Sequence, residues 1–279
     1  MKYAVFLSII IASLLSAPAS LAKNNSEQAL VKPGTFDFRL TAGIGGIENP
    51  LKQRDNISSP LLPEFSYYGD KFYVENLVLG YSLYESENWL IDAYGYFNND
   101  GYFFADSTSE KLVSIAGITQ NTWRASKVAI NFQEIERDLS YLGGVNISHI
   151  GPWLRTNFSM AKDVTSVHHG EEISLTFTKP LQWRSLTATI QTGATYKSSK
   201  INDYYYQLTD TENTILLRQI SVGDTISPWV NLNLRYHFNP NWSLGLSLKK
   251  TWLDSKMKSS VLLDKTRYHT GFVGVSYRY

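Results

Sequence analysis

The sequence predicts an all-β protein, a single antiparallel transmembrane β-barrel of ten strands, with twelve as the alternative. Three observations carry this reading. An export leader opens the chain, the body alternates apolar and polar residues over segments of about ten, and the connections switch between tight and long.

The leader comes first. Lys2 gives a short positive start, Val5 to Leu15 an apolar run, and Ser20-Leu21-Ala22 a small-x-small cleavage site. Residues 1–22 therefore read as a secretory signal peptide cut after Ala22. Residues 23–34 read as a periplasmic segment and 35–279 as the barrel, since no repeat, linker or low-complexity block divides them. Beyond Ala22 no stretch approaches the roughly 20 apolar residues of a membrane-spanning helix. The 26 Lys and Arg residues nearly balance 25 Asp and Glu, and one of the basic residues, Lys2, lies in the leader. That balance offers no general attraction to nucleic acid, which is excluded as a partner. Without cysteine there is neither a disulfide framework nor a thiolate metal site. The 18 Tyr, 13 Phe and 7 Trp suit the aromatic girdles of a membrane barrel.

The strands follow from period-2 alternation. The clearest runs from Val230 to Phe238, with Val230, Leu232, Leu234, Tyr236 and Phe238 on one face and Asn231, Asn233, Arg235 and His237 on the other. After Asn239-Pro240-Asn241 the pattern resumes with Trp242, Leu244, Leu246 and Leu248. Ten strands are read near 35–45, 74–84, 89–97, 138–148, 153–162, 171–180, 184–196, 226–238, 242–253 and 267–279. A soluble sandwich also alternates; loop lengths separate the two. Glu85 to Asn88, His149 to Pro152, Leu181 to Trp183 and Asn239 to Asn241 are tight, whereas 46–70, 98–137, 163–170, 198–224 and 254–266 are long. Short turns at one end and long loops at the other match the periplasmic and extracellular ends of an outer-membrane barrel. Pro60 to Tyr73, with Phe65, Tyr67 and Phe72, reads either as a hairpin extending the second strand or as a further strand pair, which would make twelve.

The final strand fixes the direction of the count. Gly271, Val273, Val275, Tyr277 and Tyr279 form one face, and Phe272, Gly274, Ser276 and Arg278 the other. An apolar strand ending on Tyr would expose an adhesive edge in a soluble protein, but in a barrel it closes the sheet and sets its aromatic at the interface. Gly274, Tyr277 and Tyr279 are similar to the C-terminal assembly signal of outer-membrane proteins. This implies outer-membrane lipid and the barrel assembly machinery as partners.

For chemistry, the inward-facing polar set is Asp37, Arg39, Asp92, Arg155, Glu172, Gln191, Asn231, Asn233, Arg235, His237, Lys249 and Arg278. Mutual pairing across the lumen explains such a mixed set; a passage for ions or small polar solutes is the competing reading. His168-His169 beside Glu171-Glu172 suggests a metal cluster, but neighbouring residues on an extended chain point opposite ways, and an exposed polar loop is the simpler reading. No G-x-S-x-G motif or Gly-rich phosphate loop accompanies these residues, so no catalytic residue, metal ligand or cofactor is expected. Tyr67-Tyr68, Tyr102-Phe103-Phe104 and Tyr204-Tyr205-Tyr206 read as interface girdle at the outer side. The 98–137 loop, apolar at Leu112 to Ile118 and Val128 to Phe132, is long enough to fold over the mouth.

Several segments together resemble the MltA-interacting protein family, MipA/OmpV. They are Pro63-Glu64-Phe65-Ser66-Tyr67-Tyr68-Gly69-Asp70-Lys71-Phe72-Tyr73, Gly80-Tyr81-Ser82-Leu83, Arg137-Asp138-Leu139-Ser140-Tyr141-Leu142-Gly143-Gly144, Asp203-Tyr204-Tyr205-Tyr206, and the closing strand Gly271 to Tyr279. The 98–137 loop is longer than the family pattern. The resemblance implies a non-enzymatic outer-membrane barrel. It carries two functions: a scaffold for murein hydrolases and synthases, or a porin-like or adhesive surface protein. No family binding residue carries over to this chain.

Overall fold

A computed structural model describes residues 34–104, 135–209, 212 and 221–279. The expected signal peptide with its cleavage at Ala22, nearly all of the 23–34 segment, and the apolar stretches Leu112–Ile118 and Val128–Phe132 lie outside the described residues.

Thirteen strands form one antiparallel sheet: β1 (Thr35–Ile47), β2 (Ile57–Ser58), β3 (Leu61–Tyr68), β4 (Phe72–Glu75), β5 (Val78–Glu85), β6 (Trp89–Phe97), β7 (Tyr141–Ile150), β8 (Arg155–Asp163), β9 (Glu171–Trp183), β10 (Leu186–Lys197), β11 (Thr225–His237), β12 (Trp242–Trp252) and β13 (Arg267–Arg278). The sheet closes where β1 pairs with β13, from Arg39 opposite Arg278 to Ile47 opposite Thr270. The two-residue β2 only prolongs β3 along β1, so the barrel has twelve staves and not the ten first counted. The missing pair is β3 and β4, drawn from Pro60–Tyr73. Pro63 inside β3 argues against a strand by its lost N–H, and the four residues of β4 are too few to display alternation.

Every neighbouring pair of strands is antiparallel, so register follows from the hairpins. Ser86–Asn88 joins β5 to β6, Gly151–Leu154 joins β7 to β8, and Phe238–Asn241 joins β11 to β12. The β9–β10 turn is Arg184–Ser185, not Leu181–Trp183, and Arg184 takes the left-handed conformation (φ 50°) that a two-residue hairpin demands. These turns, with Gly69–Lys71, share one end of the barrel; the long connections share the other.

The pleat sorts residues as the alternation requires. Ile44, Leu83, Phe158, Met160, Ile226 and Leu248 stand exposed on the outside, between 43 and 75 % accessible. At the turn end the outer face carries Trp89, Trp153, Trp183, Tyr236, Phe238, Trp242, Tyr277 and Tyr279. The rings touch in series: Trp242 to Tyr277 at 4.9 Å, Tyr277 to Tyr279 at 4.7 Å, and Tyr279 to Phe38 at 5.7 Å. Such a belt is what an aromatic-lined interface needs. Tyr67 and Tyr68 also lie at this end, opposite Phe36 and Thr35, and not at the outer side expected for them.

The apolar core lies in the loops. Leu51, Phe103, Phe104, Ile135, Ile201, Tyr205, Tyr206, Leu208, Val222, Met257, Leu262 and Leu263 form one buried cluster at the loop end. Phe103 and Phe104 lie on a single 3-10 turn, Asn99–Phe104, and the tyrosines on a short helix, α1 (Ser199–Tyr206). The girdle reading of these two groups is thus overturned, since Tyr205 and Tyr206 are essentially inaccessible. A bridge between Leu51 and Leu263, with Lys52 N–H donating to Leu262 O (2.8 Å), ties two further loops into this cap.

Candidate functional site

The lumen holds two polar layers beneath the cap. At the turn end Arg278 forks onto Asp37, with Nε to Oδ1 at 2.9 Å and Nη2 to Oδ2 at 2.7 Å. Glu64 receives both Arg39 (3.4 Å) and Arg235 (3.5 Å). Glu64 falls outside the lumen set that alternation predicts, because Pro60 to Tyr73 shows no clear strand period. Glu75 lines the same space as Asp37, Arg39 and Glu64, so three guanidiniums face three carboxylates in this layer. His237 lies on the same inner face of β11 as Arg235, and Asn233 sits two residues further along, opposite Thr189 and Ser247. Asn231 donates to Gln191 Oε1 (2.9 Å), and Gln191 to Thr178 Oγ1 (3.3 Å). Asp92 is buried beside Asn146 in the register of β6 and β7, while Arg155 is exposed at the turn-end rim.

The second layer lies at the loop end. Lys197 Nζ is 2.6 Å from Asp100 Oδ2 and 3.9 Å from Glu172 Oε2. Tyr96 donates to Glu172 Oε1 and Tyr206 to Asp100 Oδ1, each at 2.8 Å. Burial in low dielectric makes such charges costly unless paired, and here every carboxylate has a cation and a phenol. Glu172 and Lys249 were read from the alternation. Lys197 closes the same inner series one residue beyond the strand as first bounded, and Asp100 sits on the 3-10 turn, where periodicity gives no signal. Tyr206 rises well above the ordinary phenol value because burial and the Asp100 carboxylate both disfavour its anion.

The cap holds an arrangement that invites a catalytic reading. Ser140 Oγ lies 2.9 Å from His168 Nε2, and His168 Nδ1 lies 3.7 Å from Asp163 Oδ2. The hydrogen bonds exclude the roles of a Ser-His-Asp triad. Gly170 N–H donates to Nδ1 at 2.9 Å, so the ring proton sits on Nε2 and points at the serine. Asp163 instead accepts from the backbone N–H groups of His168 (2.7 Å) and His169 (2.8 Å). The proton chain therefore runs from His168 through Ser140 to Tyr205, and from Tyr205 to the Asp138 carbonyl (3.0 Å). A general base needs a free lone pair facing the nucleophile, and this histidine presents a proton. His168 is buried, against the exposed-loop reading, and burial lowers its proton affinity below the usual imidazole value. Among the described residues no group of three or more His, Cys, Asp or Glu could hold a metal.

Gly274, Tyr277 and Tyr279 of the closing strand each touch β1 or its neighbours. A Cβ on Gly274 would overlap the Ala42 carbonyl across the seam, so close strand approach alone explains that glycine. Tyr279 N–H donates to Phe38 O at 3.0 Å.

A closed antiparallel barrel with an apolar outer band, an aromatic belt and a charged, paired interior defines an outer-membrane protein. The chain belongs to the family described as MltA-interacting protein MipA, whose pattern it matches over residues 40–279. It is 23% identical over 245 residues to the "MltA-interacting protein" of Escherichia coli (strain K12), covering 87% of this chain and 90% of that one. It is 25% identical over 250 residues to the "Putative outer membrane protein YiaT" of Escherichia coli O157:H7, covering 86% and 91%. Among solved structures, a bacterial polysaccharide outer membrane secretin superposes over 88% of this chain and 98% of that chain, at 10% identity and TM-score 0.41. At that score the superposition adds nothing to the strand pairing described above.

Proposed function

We propose that this protein is a non-enzymatic scaffold of the outer membrane that engages a murein-processing enzyme at its turn end. The observation that supports this reading is the paired interior: two ion-paired layers lie beneath a cap of buried side chains, an arrangement suited to a stiff platform rather than a conduit. The name of the Escherichia coli relative supplies the partner, MltA, and the family resemblance supplies its class, a murein hydrolase. The platform itself would be the short turns and their exposed rim, including Trp183, which is 69 % accessible. The apolar band would contact outer-membrane lipid, and the closing strand, with Gly274, Tyr277 and Tyr279, would meet the barrel assembly machinery.

The test is binding of a purified MltA-type hydrolase to the barrel in nanodiscs. Saturable binding that weakens when Trp183 and Arg184 are replaced by Ala is expected. No binding, with residues 23–33 present, would remove the scaffold. Planar-bilayer recording of the same sample should give closed traces; steady conductance would favour the channel reading instead.

A further inference from the structure

The barrel wall is not of even height. The β4–β5 hairpin reverses at Asn76–Leu77, with Glu75 opposite Val78, while both flanking strands continue toward the loop end. Of β3, only Ser66, Tyr67 and Tyr68 pair with β4. Asn76 closes the last rung, its N–H donating to Phe65 O (2.7 Å) and its Oδ1 accepting from Phe65 N–H (3.0 Å). Beyond it, Leu61 to Glu64 have β1 on one side and, among the described residues, no strand on the other. On the far side, Leu79 opposite Gly95 is the last β5–β6 pair, so Tyr96 and Phe97 pair with β7 alone.

Pro63 lies on the open edge. Phe65 directs its backbone groups away from β1, and alternation sends those of Pro63 the same way. The N–H that proline lacks would therefore have pointed into the gap, where no ladder bond is made.

Behind the gap lies a cavity of about 500 Å³ whose walls are mainly apolar, with Leu62, Leu77, Val78, Phe97 and Phe272 among them. That size falls within the range of about 300–1,000 Å³ typical of small-molecule sites. Outside the gap, Leu61 and Leu79 are each 44 % exposed on the apolar band. One cation, Lys249, also lines the cavity. Its Nζ lies 4.7 Å from the centre of the Trp229 ring, and among the described residues it has no ion-pair partner. The nearby carboxylates Asp100 and Glu172 are engaged by Lys197.

We propose that this cavity binds a single-chain anionic amphiphile, a long-chain carboxylate, which enters sideways from the bilayer through the gap between β3 and β6. The alkyl chain lies against Leu62, Leu77, Val78 and Phe97, and the carboxylate meets Lys249. Charge complementarity selects the anion, since a half-buried cation seated on the Trp229 ring gains from a carboxylate brought to it. A neutral aromatic would satisfy the walls and leave the lysine alone. This inference is independent of the scaffold reading.

The test uses the full barrel in phosphatidylcholine nanodiscs. Bromostearate is titrated while tryptophan fluorescence is followed, with its methyl ester as the uncharged probe. Saturable quenching is expected, with the carboxylate binding roughly tenfold or more tighter than the ester. Lys249→Met should abolish that preference while leaving ester binding unchanged. Leu77→Trp, which narrows the mouth, should weaken both probes. Non-saturable quenching equal to that of nanodiscs carrying an unrelated barrel would overturn the proposal. So would equal affinity of wild type for acid and ester, a comparison that needs no variant to fold.

Discussion

At the scale of single residues, the loop-end cap is held by groups whose protonation is set by their surroundings. Burial keeps His168 neutral, with its folded-state proton affinity below the unfolded one. The unfolded chain thus takes up the proton first. The contribution of His168 to cap stability is full above the usual histidine value of about 6.5 and declines as pH falls below it. Hydrogen exchange compared at pH about 7.5 and about 5.5 should show protection around Ser140 and Gly170 falling in acid. Unchanged protection would contradict this account. Glu48 behaves in a different window. Hydrogen bonds from Lys265 (2.8 Å) and His269 (2.8 Å) hold its carboxyl at about 2. Its stabilisation is present above the ordinary Glu value of about 4.5 and is lost only as pH falls through about 2. The two effects should therefore separate in one titration, with Glu48→Gln leaving the first step intact. Arg137 holds the cap by hydrogen bonding and charge pairing. It binds Glu212 through both terminal nitrogens (2.7 and 2.9 Å) and donates to the carbonyls of Tyr204 and Gln207, with its own side chain 4 % exposed. Arg137→Ala removes the cation paired with Glu212 and the donor to the Glu136, Tyr204 and Gln207 carbonyls, so a loss of about 3 kcal/mol in the cap is expected. Limited proteolysis of the loop end in folded barrel is the readout.

At the scale of elements, α1 and the β4–β5 hairpin show where alternation stops being informative. The eight residues of α1 are too few for a helix to stand alone. It forms because Ile201, Asn202, Tyr205 and Tyr206 are buried, with Asn202 Nδ2 donating to the Gly223 carbonyl (2.7 Å). Three consecutive tyrosines carry no helical stripe, so the sequence offered a girdle where packing made a core. Tyr206→Phe should cost about 1–3 kcal/mol in cap stability, because Asp100 loses a buried donor; a cost near zero would show that Lys197 alone satisfies Asp100. In the hairpin, a Cβ at Gly80 would run into the Tyr73 ring. Gly80→Val is expected to destabilise by about 1–3 kcal/mol, and Tyr73→Ala in the same chain should return much of that. A double-mutant cycle in urea checks it, since independent effects would simply add. The long strands were legible because both faces are committed, lipid outside and paired polar groups inside. The half-height hairpin was not, since it has too few residues for a period and a proline beside it.

For the molecule as a whole, the barrel and its two unlike ends were readable from the alternation and the loop rhythm. So was the family, through motifs that run from Pro63 to Tyr279 and lie within or overlap the match at residues 40–279. The inner polar set could be drawn up from strand parity, as with Asp37, Arg235 and Lys249, but its wiring could not. Which carboxylate meets which cation depends on strands far apart in sequence, and on loop residues such as Asp100 that follow no period. The number of staves turned on one ambiguous stretch, Pro60 to Tyr73.

The seam between β1 and β13 sets an order of events in time. Asp37 and Arg278 stand 241 residues apart along the chain, and Thr41 and Ser276, sharing a 2.8 Å hydrogen bond, 235. Neighbouring staves elsewhere can zip from a local turn, but this pair must find each other across almost the whole protein. Contacts of such separation form late and slowly. Until they do, β1 keeps an unpaired edge that any other strand could claim. Arg278→Ala should accordingly slow refolding into lipid, with the unfolding rate little changed. The Asp37–Arg278 clasp then acts as the latch that ends the vulnerable interval.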